Sequence, residues 1–135
     1  MAQRKPIQRT HLGISESLVG KAESIDPGKS ARASLVTTKD MASDSKGLVH
    51  GGFTFGLADY AAMLAVNDPF VVLLASNVRF MKPVTAGDRL TAQAKVTDKQ
   101  DNRRSVRCEI TNQNGTKVFE GEFLCMVLER HVLEK

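Results

Sequence analysis

Apolar and polar residues alternate along much of this chain, and the breaks in that alternation are as informative as the runs. Leu90, Ala92, Ala94 and Val96 are separated by polar residues, the period of a strand with one buried face. Val106, Cys108 and Ile110 repeat the pattern, and Val118 to Leu128 reads as a final strand. Ala31, Ala33 and Leu35 mark an earlier strand over Ala31–Thr38, and the Val-, Leu- and Phe-rich run Phe70–Met81 predicts another, closed by Lys82-Pro83. Asp26-Pro27-Gly28, Ala86-Gly87-Asp88 and Asn114-Gly115 are turn signals between them. The polar stretch Thr97–Arg104 reads as a loop. His11–Ser24 is ambiguous between a short helix and a strand, and Met1–Thr10 reads as a loose tail.

Phe53–Val66 breaks the alternation. Its 14 residues are apolar or small apart from a few, with Asp59 the one charge. That length and the alanine content favour a helix over a strand. A helix apolar on every side is buried on most of them. Asn67-Asp68-Pro69 stops it. Strands, one buried helix and then an antiparallel meander make an α+β arrangement. No repeat or linker divides the 135 residues, so a single domain over 1–135 is expected.

Composition narrows the function. With 41% hydrophobic and 25% charged residues, the chain is ordinary for a folded protein. No apolar run approaches the length of a membrane span, so no membrane association is expected. The polar, basic start carries no apolar signal core, which points to a cytoplasmic protein. A net charge of +4 suggests an anionic partner. The basic residues are scattered, aromatics are only 5% and Trp is absent, so nucleic acid is not expected. A phosphate-bearing small molecule fits a dispersed charge. Cys108 and Cys125 sit in alternating apolar segments and read as buried thiols. His11, His50 and His131 lack metal-ligand spacing, so no metal site and no cofactor are expected.

Two features carry candidate chemistry. His50-Gly51-Gly52 stands directly before the buried helix. The first amides of a helix lack intrahelical partners and sit at its positive end. Glycines there admit a ligand close to the backbone, so the turn can bind an anion or polarise a carbonyl oxygen. The plainer reading is a tight loop entry. The second feature is Asp59, whose burial among apolar residues should raise its pKa. Its plainer reading is a residue on an exposed stripe. Gly51 and Asp59 stand eight residues apart, roughly 12 Å along a helix axis. That is too far for both to act on one carbonyl. If they share a substrate, they come from different copies of the chain.

Gly47-Leu48-Val49-His50-Gly51-Gly52, with Asp59 beyond it, resembles the signature of hotdog-fold thioesterases, above all the phenylacetyl-CoA-pathway branch. The run Asn77–Leu90, with Pro83 and Gly87-Asp88, is similar to the strand and turn that follow in that family. The resemblance implies an antiparallel sheet wrapped around one long central helix, protomers paired as a dimer or a dimer of dimers, and an acyl-CoA substrate. It implies that Gly51, or Gly52, polarises the thioester carbonyl. Asp59 of the neighbouring protomer would serve as general base or nucleophile, and His50 would orient the loop or the thioester. Asp44 stands where the family often has Asn, and Leu73 where some relatives have Ser or Thr, with Ser76 nearby; the resemblance makes Asp44, Phe53, Ser76, Arg79 and Lys82 the substrate-binding candidates. Phe53, Phe55, Leu57 and Met63 are candidates to line an acyl tunnel. Arg79, Lys82, Arg89, Arg103 and Arg104 are candidates for CoA phosphates.

Leu74–Cys125 also resembles the hotdog effector domain of malonyl-CoA-responsive lipid regulators, which gives the rival reading of an acyl-CoA sensor without turnover. Those regulators carry a helix-turn-helix, for which the residues ahead of the first strand look too few. The resemblance implies no acid in them at the position of Asp59. A hotdog hydratase is a third reading, but its catalytic His motif is not found. Thioester hydrolysis is the preferred expectation.

Overall fold

The computed structural model describes residues 7–134. A short helix α1 (Glu16–Val19) leads into β1 (Lys21–Asp26) and β2 (Ser30–Val36), and a 3₁₀ turn (Lys39–Met41) precedes the long helix α2 (Gly51–Val66). Strands β3 (Val71–Phe80), β4 (Arg89–Gln100), β5 (Arg103–Thr111) and β6 (Lys117–Val127) complete the chain. They form one six-stranded sheet in the order β1-β2-β4-β5-β6-β3. All its pairings are antiparallel. The hotdog arrangement expected from the sequence is present: one long helix lies against a curved antiparallel sheet.

The turns form where the backbone permits them. Gly28 and Gly115 adopt φ of 76° and 78°, a region open to glycine at little cost. The Asn112 side chain accepts the amides of Asn114 and Thr116 at 3.0 and 3.1 Å, closing the β5–β6 hairpin.

Two of the expected elements are corrected, and one open reading is resolved. The helix begins at Gly51, two residues before Phe53, because the glycines continue a helix whose start is held by the preceding loop. Thr97–Arg104 is not a loop: β4 runs to Gln100 and β5 starts at Arg103, leaving Asp101-Asn102 as the turn. Residues 97–103 are exposed on both faces, and they are held by backbone pairing, β5 to β4 and to β6 alike, without an apolar face. The ambiguous His11–Ser24 segment holds both a helix and the start of a strand.

The core lies between α2 and the inner face of the sheet. Leu57, Ala58, Ala61, Ala62, Leu64 and Ala65 are fully buried, as are Ala33, Ala92, Cys108, Ile110 and Phe119 on the strands facing them. Small side chains on β2 and β4 let the helix lie close. Phe119 and Phe123 fill the wider end under β6. Gly121 has its own packing role. A Cβ there would fall 2.5 Å from Val78 Cγ1 and 2.8 Å from the Asn77 carbonyl, so β3 closes onto β6 only over a bare backbone. Gly121→Ala is expected to cost about 1–3 kcal/mol through forced repacking, read by chemical denaturation.

The C-terminal end of α2 also anchors the chain's start. Asn67 caps the helix in the left-handed conformation and is 3% exposed. Its side chain accepts the Arg9 amide at 2.8 Å and donates to the Ile7 carbonyl at 3.0 Å. Gln8 donates to the Tyr60 hydroxyl at 3.3 Å. Of the segment read as a loose tail, the described part, Ile7 to Thr10, is thus tied to α2. The rest lies outside the described residues.

The outer face of the sheet is charged. Arg107 bridges Glu120 at 2.8 Å and Glu109 at 3.6 Å, and Lys117 bridges Glu120 at 3.5 Å and Glu109 at 3.1 Å. Glu109 and Glu120 stand opposite each other in register. The two cations offset a repulsion the ladder itself creates.

Candidate active site

The loop ahead of α2 is held on both sides. The Val49 amide donates to the Val84 carbonyl and the His50 amide to the Met41 carbonyl, each at 2.8 Å. Asp44, expected to touch substrate, accepts the Lys46 and Leu48 amides at 3.0 and 3.2 Å and so shapes this loop. With His50 fixed, Gly51 and Gly52 open the helix. Among the described residues no acceptor is found for their amides, the state expected of first-turn donors.

Both glycines lie close against neighbouring rings. A Cβ on Gly51 would sit 3.1 Å from the ring of Phe80, and one on Gly52 would sit 2.9 Å from the ring of His50. The exposed His50 ring therefore folds over Gly52 and meets Phe53 edge-on, 6.3 Å between centroids. Its side chain makes no capping hydrogen bond. A cavity of about 320 Å³ opens beside Gly51, with Thr54, Phe80, Lys82 and Leu48 in its walls. It combines unpaired amides, one cation and apolar walls, the chemistry that suits a polar carbonyl on a largely apolar molecule.

Asp59 lies two turns further along α2. Its Oδ1 is buried with no hydrogen-bond partner. Burial pushes its carboxyl from 3.8 up to about 6. The Cys125 thiol on β6 is pushed up to about 12, by burial first and then by the Asp59 charge, which places the two groups close together. The raised carboxyl pKa has a cost for the fold. Its contribution to stability is fully present below about pH 4 and is lost as pH rises through about 6. Above that, the folded protomer holds an unpaired charge at a cost on the order of 2 kcal/mol.

Exposure along α2 follows one stripe. Gly52, Phe55, Gly56 and Asp59 are open or half-open, with Gly51 and Phe53 beside them at the start, while the remaining positions are buried. The spacing is that of a single helix face.

The structure brings Gly51 and Lys82 to one cavity; His50, Gly52 and Phe53 neighbour Gly51 along the chain but do not line it. Asp59 shares the open stripe but stands roughly 12 Å away along the axis. Ser76 pairs with Phe123 in register and Arg79 with Glu120, so these two candidates fall on opposite faces of the sheet. Arg79 lines an outer cleft with Arg107 and Glu122, away from Gly51. Leu57 and Met63, expected in an acyl tunnel, are 0% and 1% exposed and belong to the core. Phe80 was missed as a site residue. Its contact with Gly51 spans 29 positions of chain, and only its place in the run Asn77–Pro83 hinted at it.

Among the described residues no group of His, Cys, Asp or Glu is arranged to hold a metal. No helix among them is long and apolar enough to cross a membrane.

A wrapped helix with this turn at its start defines the class of the protein. The model of the thioesterase superfamily matches residues 46–119, and the chain belongs to that family. Its fold is that of an uncharacterized protein of Pyrococcus horikoshii, with a TM-score of 0.93 and 50% identity over 98% of this chain and 100% of that one. The PaaI protein of the phenylacetic acid degradation operon of E. coli superposes with a TM-score of 0.78 and 29% identity, covering 86% of this chain and 84% of that one. Two curated relatives are larger. The chain is 48% identical over 120 residues to a methylthioribose-1-phosphate isomerase of Aquifex aeolicus, matching 89% of this chain but 26% of that protein. It is 28% identical over 127 residues to the transcription factor FapR of Caldanaerobacter subterraneus, matching 94% of this chain and 62% of that protein. The chain thus spans a quarter to three fifths of the length of these two relatives.

Proposed function

We propose that the protein hydrolyses the thioester of an acyl- or aryl-CoA, releasing the free acid and CoA, at a site completed by a second copy of the chain. The observation that carries this reading is the unpartnered carboxylate of Asp59 on the same open helix stripe as the unpaired amide of Gly51. Phe55 stands midway between the two residues. A twofold axis near Phe55, with the stripes antiparallel, would set Gly51 of one copy opposite Asp59 of the other, twice per dimer. Gly52 and Gly56, lacking side chains, let two helices approach closely there.

In that arrangement the Gly51 amide, and Gly52 beside it, stabilises the oxyanion that forms as the carbonyl is attacked. Asp59 acts in its charged form. It either takes a proton from the attacking water or attacks the carbonyl carbon itself, forming an anhydride that water then opens. The sulfur leaves as thiolate and is protonated, so thioester and water become acid and thiol. His50 orients the turn through its backbone or the thioester through its ring, and Lys82 and Phe53 border the substrate.

Release of free thiol from a panel of short, long and aromatic acyl-CoAs tests the reading. Turnover of at least one member is expected. Saturable binding of acyl-CoA without turnover across the panel would instead favour a sensor, the reading raised by the similarity to FapR.

The rate should depend on pH through Asp59. Because only the carboxylate form acts and burial raises its pKa to about 6, kcat/KM should fall as pH drops through 6. A profile flat down to pH 4 would remove Asp59 from the chemistry.

A further inference from the structure

The outer face of the sheet, turned away from α2, holds a second cleft of about 510 Å³ across β1, β2, β4 and β5. Two β-bulges shape it. The β1–β2 ladder slips between Ala22 and Ser24, and the β4–β5 ladder slips between Val96 and Asp98. Bulges bend a strand and increase its twist, and the cleft lies between these two irregularities. Ser24 and Thr97, at the two bulges, both line the result.

Three cations stand in it, one from each of three adjacent strands: Arg32 on β2, Lys95 on β4 and Arg107 on β5. Lys95 and Arg107 face each other directly in register, a pairing in which like charges repel. Arg107 is offset by Glu120 at 2.8 Å. The one carboxylate of the lining, Glu109, is held by Lys117 at 3.1 Å. Among the described residues Arg32 and Lys95 have no salt-bridge partner. The cleft therefore gathers positive charge that the fold itself does not neutralise.

We propose that this cleft is an anion site, separate from the α2 site, that takes the phosphoryl group of a small phosphorylated molecule. An anion with several oxygens can meet Arg32, Lys95 and the Ser24 and Ser30 hydroxyls together. No aromatic side chain lines the cleft, so a base finds no aromatic platform there and the charge of the phosphoryl group is the part recognised. Gly51 and Asp59 lie on the helix at the opposite face of the sheet, so a ligand here leaves the thioester site open.

Calorimetric titration with pyrophosphate in low-salt buffer tests this, using wild type, Arg32→Gln, Lys95→Gln and the control Lys39→Gln. The control removes the same charge from the distant 3₁₀ turn. One pyrophosphate per chain is expected, bound at least about tenfold more weakly by the first two variants and equally well by the control. Amide shifts in the NMR spectrum should centre on Ser30–Arg32 and Gln93–Thr97. Absence of saturable binding would overturn the proposal, as would equal weakening in all three variants, which signals bulk charge. A parallel titration with 3′-phosphoadenosine 5′-phosphate separates the source of the phosphate. Binding of this compound alone, with shifts centred on Gly51, would assign the phosphates to the thioester site and end the proposal. Neither result depends on whether the protein turns over any thioester.

Discussion

Asp59→Asn is expected to lower kcat by about 100-fold or more while leaving acyl-CoA binding largely intact. The amide keeps the size and shape of the side chain, so packing against β6 is preserved. What it removes is the charge proposed either to activate water or to attack the carbonyl. The same substitution should raise Tm at pH 7 to 8, because the charged carboxylate is buried with one oxygen unpaired, whereas Asn carries no charge to desolvate. Slower turnover with higher stability is a combination that simple damage to the fold does not produce. Steady-state kinetics and a melting curve on one preparation measure both. Activity near that of the wild type would sink the assigned role.

Restored activity in a mixture of two inactive proteins is the second large effect. Gly51→Val should abolish turnover, since a Cβ at this position already presses on the Phe80 ring at 3.1 Å. Asp59→Asn should do so by losing the carboxylate. If each site draws Gly51 from one copy and Asp59 from the other, a mixed dimer holds one intact site and one doubly impaired site. Random reassortment puts about half the protein in mixed dimers, so about a quarter of the wild-type site number should return. Differently tagged copies verify the exchange. Mixed dimers that form and stay inactive would show that the two residues do not meet across an interface.

Much of this architecture was legible because burial imposes a period on the sequence. The alternation at Leu90–Val96 and Val106–Ile110, and its absence over Phe53–Val66, correspond to β4, β5 and α2. Where burial is lacking, the pattern is silent, and the wet β4–β5 hairpin read as a loop for that reason. The face of Arg79 was hidden differently. The apolar run Val71–Leu74 has no alternation, and the β3–β6 register slips between Leu73 and Ala75, so the inward side could not be counted off residue by residue. For the site, Gly51, Gly52 and Asp59 stood out as chemically odd neighbours of an apolar helix. Phe80 and the cleft at Arg32 and Lys95 depend on contacts between distant strands, which no local pattern reports.

The burial of α2 on all but one stripe bears on how such a protein can diversify. Most positions of the helix touch either the core or the proposed partner, so few of them can vary without loss of the fold or of the site. Changes in substrate preference have more room at the rim: Leu48 in the preceding loop, Phe80 at the end of the edge strand β3, and Met81 and Lys82 beyond it. Three of these are large apolar residues more than two-fifths exposed, with little packing to lose. A lineage drifting toward new acyl groups would keep its helix and rewrite its rim.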